Sequence, residues 1–309
     1  MSERKTGVLV MSYGTPETLD GIEEYYTHIR RGNPPTPEQL ADLSSRYEAI
    51  VGGFFPLREN TNRQVACIQD KLDTMAPGRY MCYQGLKHAR PYIEDGVANM
   101  AADGIQEAVG IVLAPHYSTM SVGSYVKRAM EKALELGIEM HFVESYHLHP
   151  KLLEALISRV KTALNAFDSS KPLKVLFSAH SLPVKIREMN DPYEEQLLAT
   201  SKAVAEGAGV ADWEFTWQSA GRTREPWLGP DILETLKDVA EQGYTQVLSA
   251  PIGFVSDHLE VLYDLDIEAV AAAEPLGVHF ARIEMLNTDP LYMETLAESV
   301  ISQDTWRQG

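Results

Sequence analysis

Cysteine is almost missing: Cys67 and Cys82 are the only two in 309 residues, with no CxxC and no metal-type spacing. This gives no support for a disulfide framework or a thiolate-held cluster, and it fits a reducing cytoplasm. No apolar run approaches the roughly 18 residues that a membrane-spanning helix needs. The opening MSERKTGVLVMSYGTP has a very short apolar run ending in turn residues, so it reads as a first strand and not as a signal peptide. Neither GxGxxG nor GxxxxGK[ST] follows an apolar run, which leaves a nucleotide cofactor without support. Basic residues are scarce, 27 Lys and Arg against 44 Asp and Glu, for a net charge of −17. Nucleic acid and anionic membranes both demand a basic footprint, so neither is an expected partner. The expectation is a cytoplasmic protein with no membrane insertion.

What the chain does have is a regular alternation. Short runs rich in β-branched and aromatic residues recur as GVLVMSYG (7–14), RYMCYQG (79–85), AVGIVLAPH (108–116), IEMHFVES (138–145), LKVLFSAH (173–180), WEFTWQSA (213–220), QVLSAPIGF (246–254) and VHFARIEM (278–285), with helical patterns between them. Apolar on both faces, they read as buried parallel strands. The pattern predicts an α/β protein of two similar Rossmann-like domains, each a four-stranded parallel sheet flanked by helices. The boundary is expected near residue 166, giving domains 1–166 and 167–309, with the last helix packing back on the first domain. The first two runs are about twice as far apart as the others, so roughly residues 20–70 are expected to hold a lid insertion.

Ligands of such folds bind at the carboxyl ends of strands. LKVLFSAH ends on His180, and Pro183 stops the strand just beyond it. His180 is therefore either a hydrogen-bonded structural histidine or a base or ligand at the mouth of a cleft; His116 in LAPHYS is a weaker candidate of the same kind. His147 and His149 read as solvated surface. In GFVSDHLEVLYDLDIE (253–268), Asp257, Glu260, Asp264 and Glu268 fall at steps of three, four and four, which lines four carboxylates along one helix face. No Lys or Arg occurs from residue 238 to 281. An Asp257–Glu260 capping pair would account for two of the acids, and a cation-handling strip would account for all four. An imidazole and a carboxylate together suit a borderline divalent ion such as ferrous iron.

The insertion carries Arg30, Arg31 and Arg46 among Tyr25, Tyr26, Tyr47, Phe54 and Phe55. Arginines pair bidentately with carboxylates while aromatic faces cover apolar rings, which suits a large flat ligand with carboxylates at its rim. The alternative is a helical hairpin whose arginines pair with nearby acids and whose aromatics form its own small core.

Taken together, GVLVMSYGTP, YYTHIRRG, RYEAI, GLKH, VLAPHYST, SAHSLP, WQSAG, PWLGPD and GFVSDHLEVLYDLDIE, in that order over nearly the whole chain, resemble the ferrochelatase family, in its short Gram-positive form. The resemblance implies the chelatase fold with its active cleft between domains. It implies insertion of ferrous iron into a porphyrin, coproporphyrin III in that branch, to give coproheme in haem biosynthesis, with hand-over to a downstream coproheme decarboxylase. It implies His180 and Glu260 as catalytic and metal-binding residues, and Tyr13 as axial ligand of product iron. Porphyrin contacts are implied for Arg30, Arg46, Tyr47 and Tyr125; Arg31 and Lys87 are further cationic candidates for substrate binding, and Asp264 and Glu268 of the acidic line are candidates for a second metal site or relay. No nucleotide and no iron–sulfur cluster is expected, since the chain ends soon after its last helix, and a monomer is expected. Two departures stand out: Phe55 replaces a small polar residue before Pro56-Leu57, with one residue more in the loop, and Ala220 stands where relatives have Glu. Alternatives are a protoporphyrin IX ferrochelatase, a cobalt or nickel chelatase of a corrin precursor, and a non-enzymatic haem or porphyrin carrier.

Overall fold

The computed structural model describes residues 5–51, 55–221 and 223–304. Phe54, one of the lid aromatics, lies outside them. Contacts group the described chain into two units, one drawn from Met1–Pro115, Ser121–Tyr146 and Asn287–Gly309, the other from His116–Met120 and His147–Leu286. The division therefore falls elsewhere than residue 166.

The first unit contains β1 (Thr6–Ser12), α1 (Ile22–Ile29), α2 (Pro37–Val51), α3 (Pro56–Met75), β2 (Tyr80–Leu86), α4 (Ile93–Ala102), β3 (Glu107–Val112), α5 (Val122–Leu136) and β4 (Glu139–Val143). Its strands form one parallel sheet in the order β2-β1-β3-β4, with Val8 opposite Cys82 on one side and Val109 on the other. β1 is buried along its whole length, which its uninterrupted Val-Leu-Val-Met run requires. The helix joining β1 to β2 is α3, which packs on β2; α1 and α2 are the surplus over an ordinary crossover. The lid region is thus a pair of helices followed by a regular crossover helix.

The second unit contains α6 (Pro150–Leu164), β5 (Leu173–His180), α7 (Tyr193–Ala208), β6 (Trp213–Gln218), α8 (Ile232–Glu241), β7 (Gln246–Ala250), α9 (Leu259–Leu262), α10 (Val270–Ala273) and β8 (His279–Arg282). Its sheet is also wholly parallel, in the equivalent order β6-β5-β7-β8. The two units are two copies of one βα pattern, as the strand spacing indicates. α11 (Pro290–Gln303) follows β8 in sequence but belongs to the first unit, where it packs on α3, β3 and β4. α6 follows β4 but belongs to the second, packed on α7 and β7. Asp304, just beyond α11, is fully buried and accepts hydrogen bonds from Arg79 (2.7 Å), the Tyr80 hydroxyl (2.9 Å) and Thr6 (3.4 Å). No helix of the described residues is long and apolar enough to cross a membrane.

Candidate active site

In the second unit, His180 is the last residue of β5 and Glu260 lies in the first turn of α9. Two features bring them together. Gly253 lies so close to β5 that a Cβ there would come 2.3 Å from the Ala179 Cβ, so only glycine lets the post-β7 turn seat beside His180. Fully buried Gln218, at the end of β6, donates from Nε2 to the Glu260 carbonyl at 2.8 Å and accepts from Ser178 at 2.9 Å.

The result is a carboxylate between two imidazoles. Glu260 Oε1 is 3.6 Å from His180 Nε2, and Oε2 is 3.6 Å from His258 Nε2. Both rings are oriented the same way: His180 Nδ1 bonds the Ser181 carbonyl, and His258 Nδ1 bonds the Ser256 carbonyl at 2.8 Å. An imidazole tied through Nδ1–H to a backbone carbonyl presents Nε2 as its working atom. Burial would raise the Glu260 carboxyl, but His180 and His258 hold it below its usual value. It is therefore an anion near neutral pH, flanked by two nitrogens, and such a set can take a cation or hold protons. His258 is a site residue that the acidic spacing does not single out; its signal in the sequence is its place two residues before Glu260.

The continuous helix expected for the acidic line is not formed. α9 begins at Leu259 with His258 as its N-terminal flanking residue and no side-chain cap, so the Asp257–Glu260 capping pair is absent. Asp257 instead pairs with Arg282 at 3.0 Å. From Asp264 to Ala269 the backbone widens into a π-type turn, in which the Glu268 N–H reaches back to the Tyr263 carbonyl at 2.9 Å. The cause is legible in the apolar residues: Val261, Leu265, Ala269 and Ala273 recur every four positions, and all are essentially fully buried in one core cluster. In a regular α-helix a step of four overshoots a turn by about 40°, so three steps would carry the last residue well off the core. The wider turn absorbs that drift. It also keeps Glu260, Asp264 and Glu268, each one residue ahead of a buried neighbour, in step. Asp264 accepts a hydrogen bond from Ser219, the residue after Gln218. Among the described residues no group of three or more His, Cys, Asp or Glu is arranged to hold a metal ion.

Other histidines divide differently. His116 is buried in the second unit, its Nε2 2.9 Å from the Thr200 hydroxyl, and burial followed by nearby His147 pushes it down to about 3. That is a neutral structural histidine. His147 is half-buried, 5.8 Å from the His116 ring, and its carbonyl accepts from Thr200, so it is not the solvated side chain expected. His149 is half-buried as well.

In the first unit, Tyr13 follows β1 and is 41% exposed, with Gly14 in a left-handed turn (φ +83°) behind it. Its ring lies 4.6 Å from that of His88, whose Nδ1 is 3.0 Å from His28 Nδ1. Burial, then the charge of Lys87, pushes His88 down to about 3. The Lys87 ammonium sits 4.8 Å from the centre of the Tyr125 ring, and burial and then Arg128 lower it to about 8. Arg128 is already engaged, with two 2.7 Å bonds to Glu94 and one to the Lys87 carbonyl. Of the lid arginines, Arg30 donates to the Asn33 carbonyl at 3.2 Å, Arg31 occupies a left-handed turn (φ +56°), and Arg46 pairs with Asp42 at 3.4 Å. Tyr47 is buried against Phe55 with ring centres 4.8 Å apart, and its hydroxyl accepts from Thr15. Arg46 thus has an acidic neighbour, and Tyr47 an aromatic one, close by in sequence.

Two four-stranded parallel sheets of one strand order, flanked by helices, make a chelatase-type α/β fold, and the His–Glu–His group stands beyond strand ends of the second sheet. The same fold occurs in solved structures. SirB from Bacillus subtilis with Fe3+ matches at TM-score 0.60 and 10% identity, covering 98% of each chain. CbiX, the terminal enzyme for siroheme biosynthesis in denitrifying bacteria, matches at TM-score 0.54 and 13% identity, covering 96% of this chain and 98% of that one. The chain belongs to the ferrochelatase family, whose model matches residues 5–304. It is 47% identical over 308 residues to a coproporphyrin III ferrochelatase of Bacillus subtilis, covering 98% of this chain and 99% of that one. It is 45% identical over 304 residues to a ferrochelatase of Herpetosiphon aurantiacus, covering 97% and 99%.

Proposed function

We propose that this chain inserts ferrous iron into coproporphyrin III, releasing two protons and giving coproheme for haem biosynthesis. The observation that carries the reading is the Glu260 carboxylate between the Nε2 atoms of His180 and His258, at 3.6 Å from each. Nitrogen and oxygen donors of this kind suit a borderline ferrous ion. Pyrrole nitrogens must lose two protons as the metal enters, and the same imidazoles can accept them. Tyr13, exposed at the end of β1, would ligate product iron. Asp264 and Glu268 would pass or co-bind the incoming cation.

The choice of porphyrin rests on the coproporphyrin III names carried by relatives and on cationic groups in the first unit. Arg30, Arg31, Arg46 and Lys87 would pair with propionates, and Tyr47 and Tyr125 would support them. A charge-assisted hydrogen bond is worth roughly 1.5–3 kcal/mol against an unpaired partner, so two missing propionates cost on the order of a hundredfold or more in kcat/KM. The enzyme would work as a cytoplasmic monomer, need neither nucleotide nor iron–sulfur cluster, and pass its product to a decarboxylase. Anaerobic insertion assays with Fe2+ and either coproporphyrin III or protoporphyrin IX, followed by absorbance, test this. A large kcat/KM preference for coproporphyrin III is expected. Equal values would return the enzyme to the general protoporphyrin class, and binding without insertion would make it a carrier.

A further inference from the structure

The acidic segment 257–268 carries Asp257, Glu260, Asp264, Asp266 and Glu268, and no cation lies within it. Like charges so closely spaced repel, and a π-type turn is a rare backbone form. Something outside the segment has to hold it. Arg282, the last residue of β8, does so with two of its three guanidinium nitrogens. Nε donates to Asp266 Oδ1 at 2.7 Å, and Nη2 to Asp266 Oδ2 at 2.9 Å and Asp257 Oδ1 at 3.0 Å. Nη1 donates to the Ile283 carbonyl at 3.0 Å. The side chain is 15% exposed. Its own backbone is fixed, because Arg282 sits opposite Ser249 of β7 and the Ile283 N–H donates to the Ser249 carbonyl at 3.0 Å.

The choice of partners is informative. Asp257 precedes His258 and Glu260, and Asp266 stands two residues beyond Asp264, within the π-type turn. One planar fork therefore clasps both flanks of the segment that presents His258, Glu260 and Asp264. The carboxylates it engages are those off the Glu260–Asp264–Glu268 line. A lysine ammonium, a point charge, cannot reproduce that geometry.

We propose that Arg282 is a positioning residue for metal capture, holding the His258–Glu260–Asp264 segment in register with His180. This rests on the reading of that segment as the iron-handling strip. Partners that orient metal ligands without touching the metal typically contribute about 10–100-fold in affinity when intact.

The test is equilibrium binding of Co2+ to the full-length protein without porphyrin, read by its visible ligand-field absorbance and by calorimetry. Arg282→Ala should weaken Co2+ binding about tenfold or more, and added guanidinium chloride at millimolar concentration should restore much of it. Arg282→Lys should restore little. If Arg282→Ala does not fold, Asp266→Asn takes its place: it leaves the fork its Asp257 and Ile283 contacts and should weaken binding severalfold. Unchanged Co2+ affinity in the folded variants would overturn the proposal, as would a loss that Arg282→Lys restores fully. Wild-type insertion of Fe2+ into porphyrin is measured separately, so failure of the functional reading shows there and not in the Co2+ titration.

Discussion

Replacing Glu260 by Gln keeps the shape of the side chain between the two imidazoles and removes only its charge. In the native protein each carboxylate oxygen lies 3.6 Å from an imidazole nitrogen, and the side chain is one-third exposed. With that exposure the interior dielectric values do not apply. At about 4 Å and water-like screening, a carboxylate attracts a divalent cation by roughly 2 kcal/mol, close to 30-fold in affinity. That figure is a floor, because partial burial strengthens the attraction. Glu260→Gln should therefore raise the KM for Fe2+ by about 30-fold or more. Porphyrin affinity, which the proposed function assigns to first-unit groups, should stay within a factor of two or so of wild type, since distant sites act independently. Anaerobic initial rates over a range of Fe2+ at saturating porphyrin give the first quantity, and quenching of protein fluorescence by porphyrin gives the second. A variant whose KM for iron rose less than about threefold at unchanged kcat would refute the argument that this anion gathers the metal. Equal losses for iron and porphyrin would mean that the substitution had deformed the site.

Replacing Asp264 and Glu268 together, by Asn and Gln, should raise the KM for Fe2+ and spare that for porphyrin; a shift in melting temperature alone would make the line a surface feature. Lys87, lowered to about 8, is cationic below that pH and neutral above it. Affinity for a propionate-bearing porphyrin should accordingly fall as pH rises through about 8, and Lys87→Met should flatten that step; a step that persists in the variant belongs to another group. Asp304→Ala strands Arg79 and the Tyr80 hydroxyl. It should cost about 3 kcal/mol, lowering the melting temperature of the first unit by roughly 6–12 °C in calorimetry. A fall of less than a degree or so would show that these donors find other partners.

The sheets were readable because parallel strands buried on both faces leave uninterrupted apolar runs, and Val8–Met11 and Val175–Phe177 are of that kind. His180 and Glu260 stood out for a related reason, a polar residue at the end of an apolar run. The π-type turn was hidden because acids four apart fit an α-helix almost as well. Only the strict four-residue recurrence of Val261, Leu265, Ala269 and Ala273 carries the signal, and it asks to be read against 3.6 and not merely as helical. Arg282 lies 25 residues from Asp257 in sequence and meets it only through the β7–β8 pairing. No local pattern announces such a contact. Phe55, which departs from the family pattern, is buried against Tyr47, a contact that the sequence position alone does not announce.

The placement of α6 and α11 bears on how the protein is made. The first sheet is complete once Val143 has been synthesised, yet the helix that covers β3 and β4 beside α3 begins only at Pro290. At ordinary translation speeds of about 5–20 residues per second, that interval lasts roughly 7–30 s. Throughout it an apolar sheet face waits on the ribosome for a helix not yet translated, while the second unit, nearly contiguous in sequence, has all its strands and helices in hand first. The later half can thus mature before the earlier one. A nascent chain stalled short of Pro290 should be a client for chaperones that shield exposed sheet.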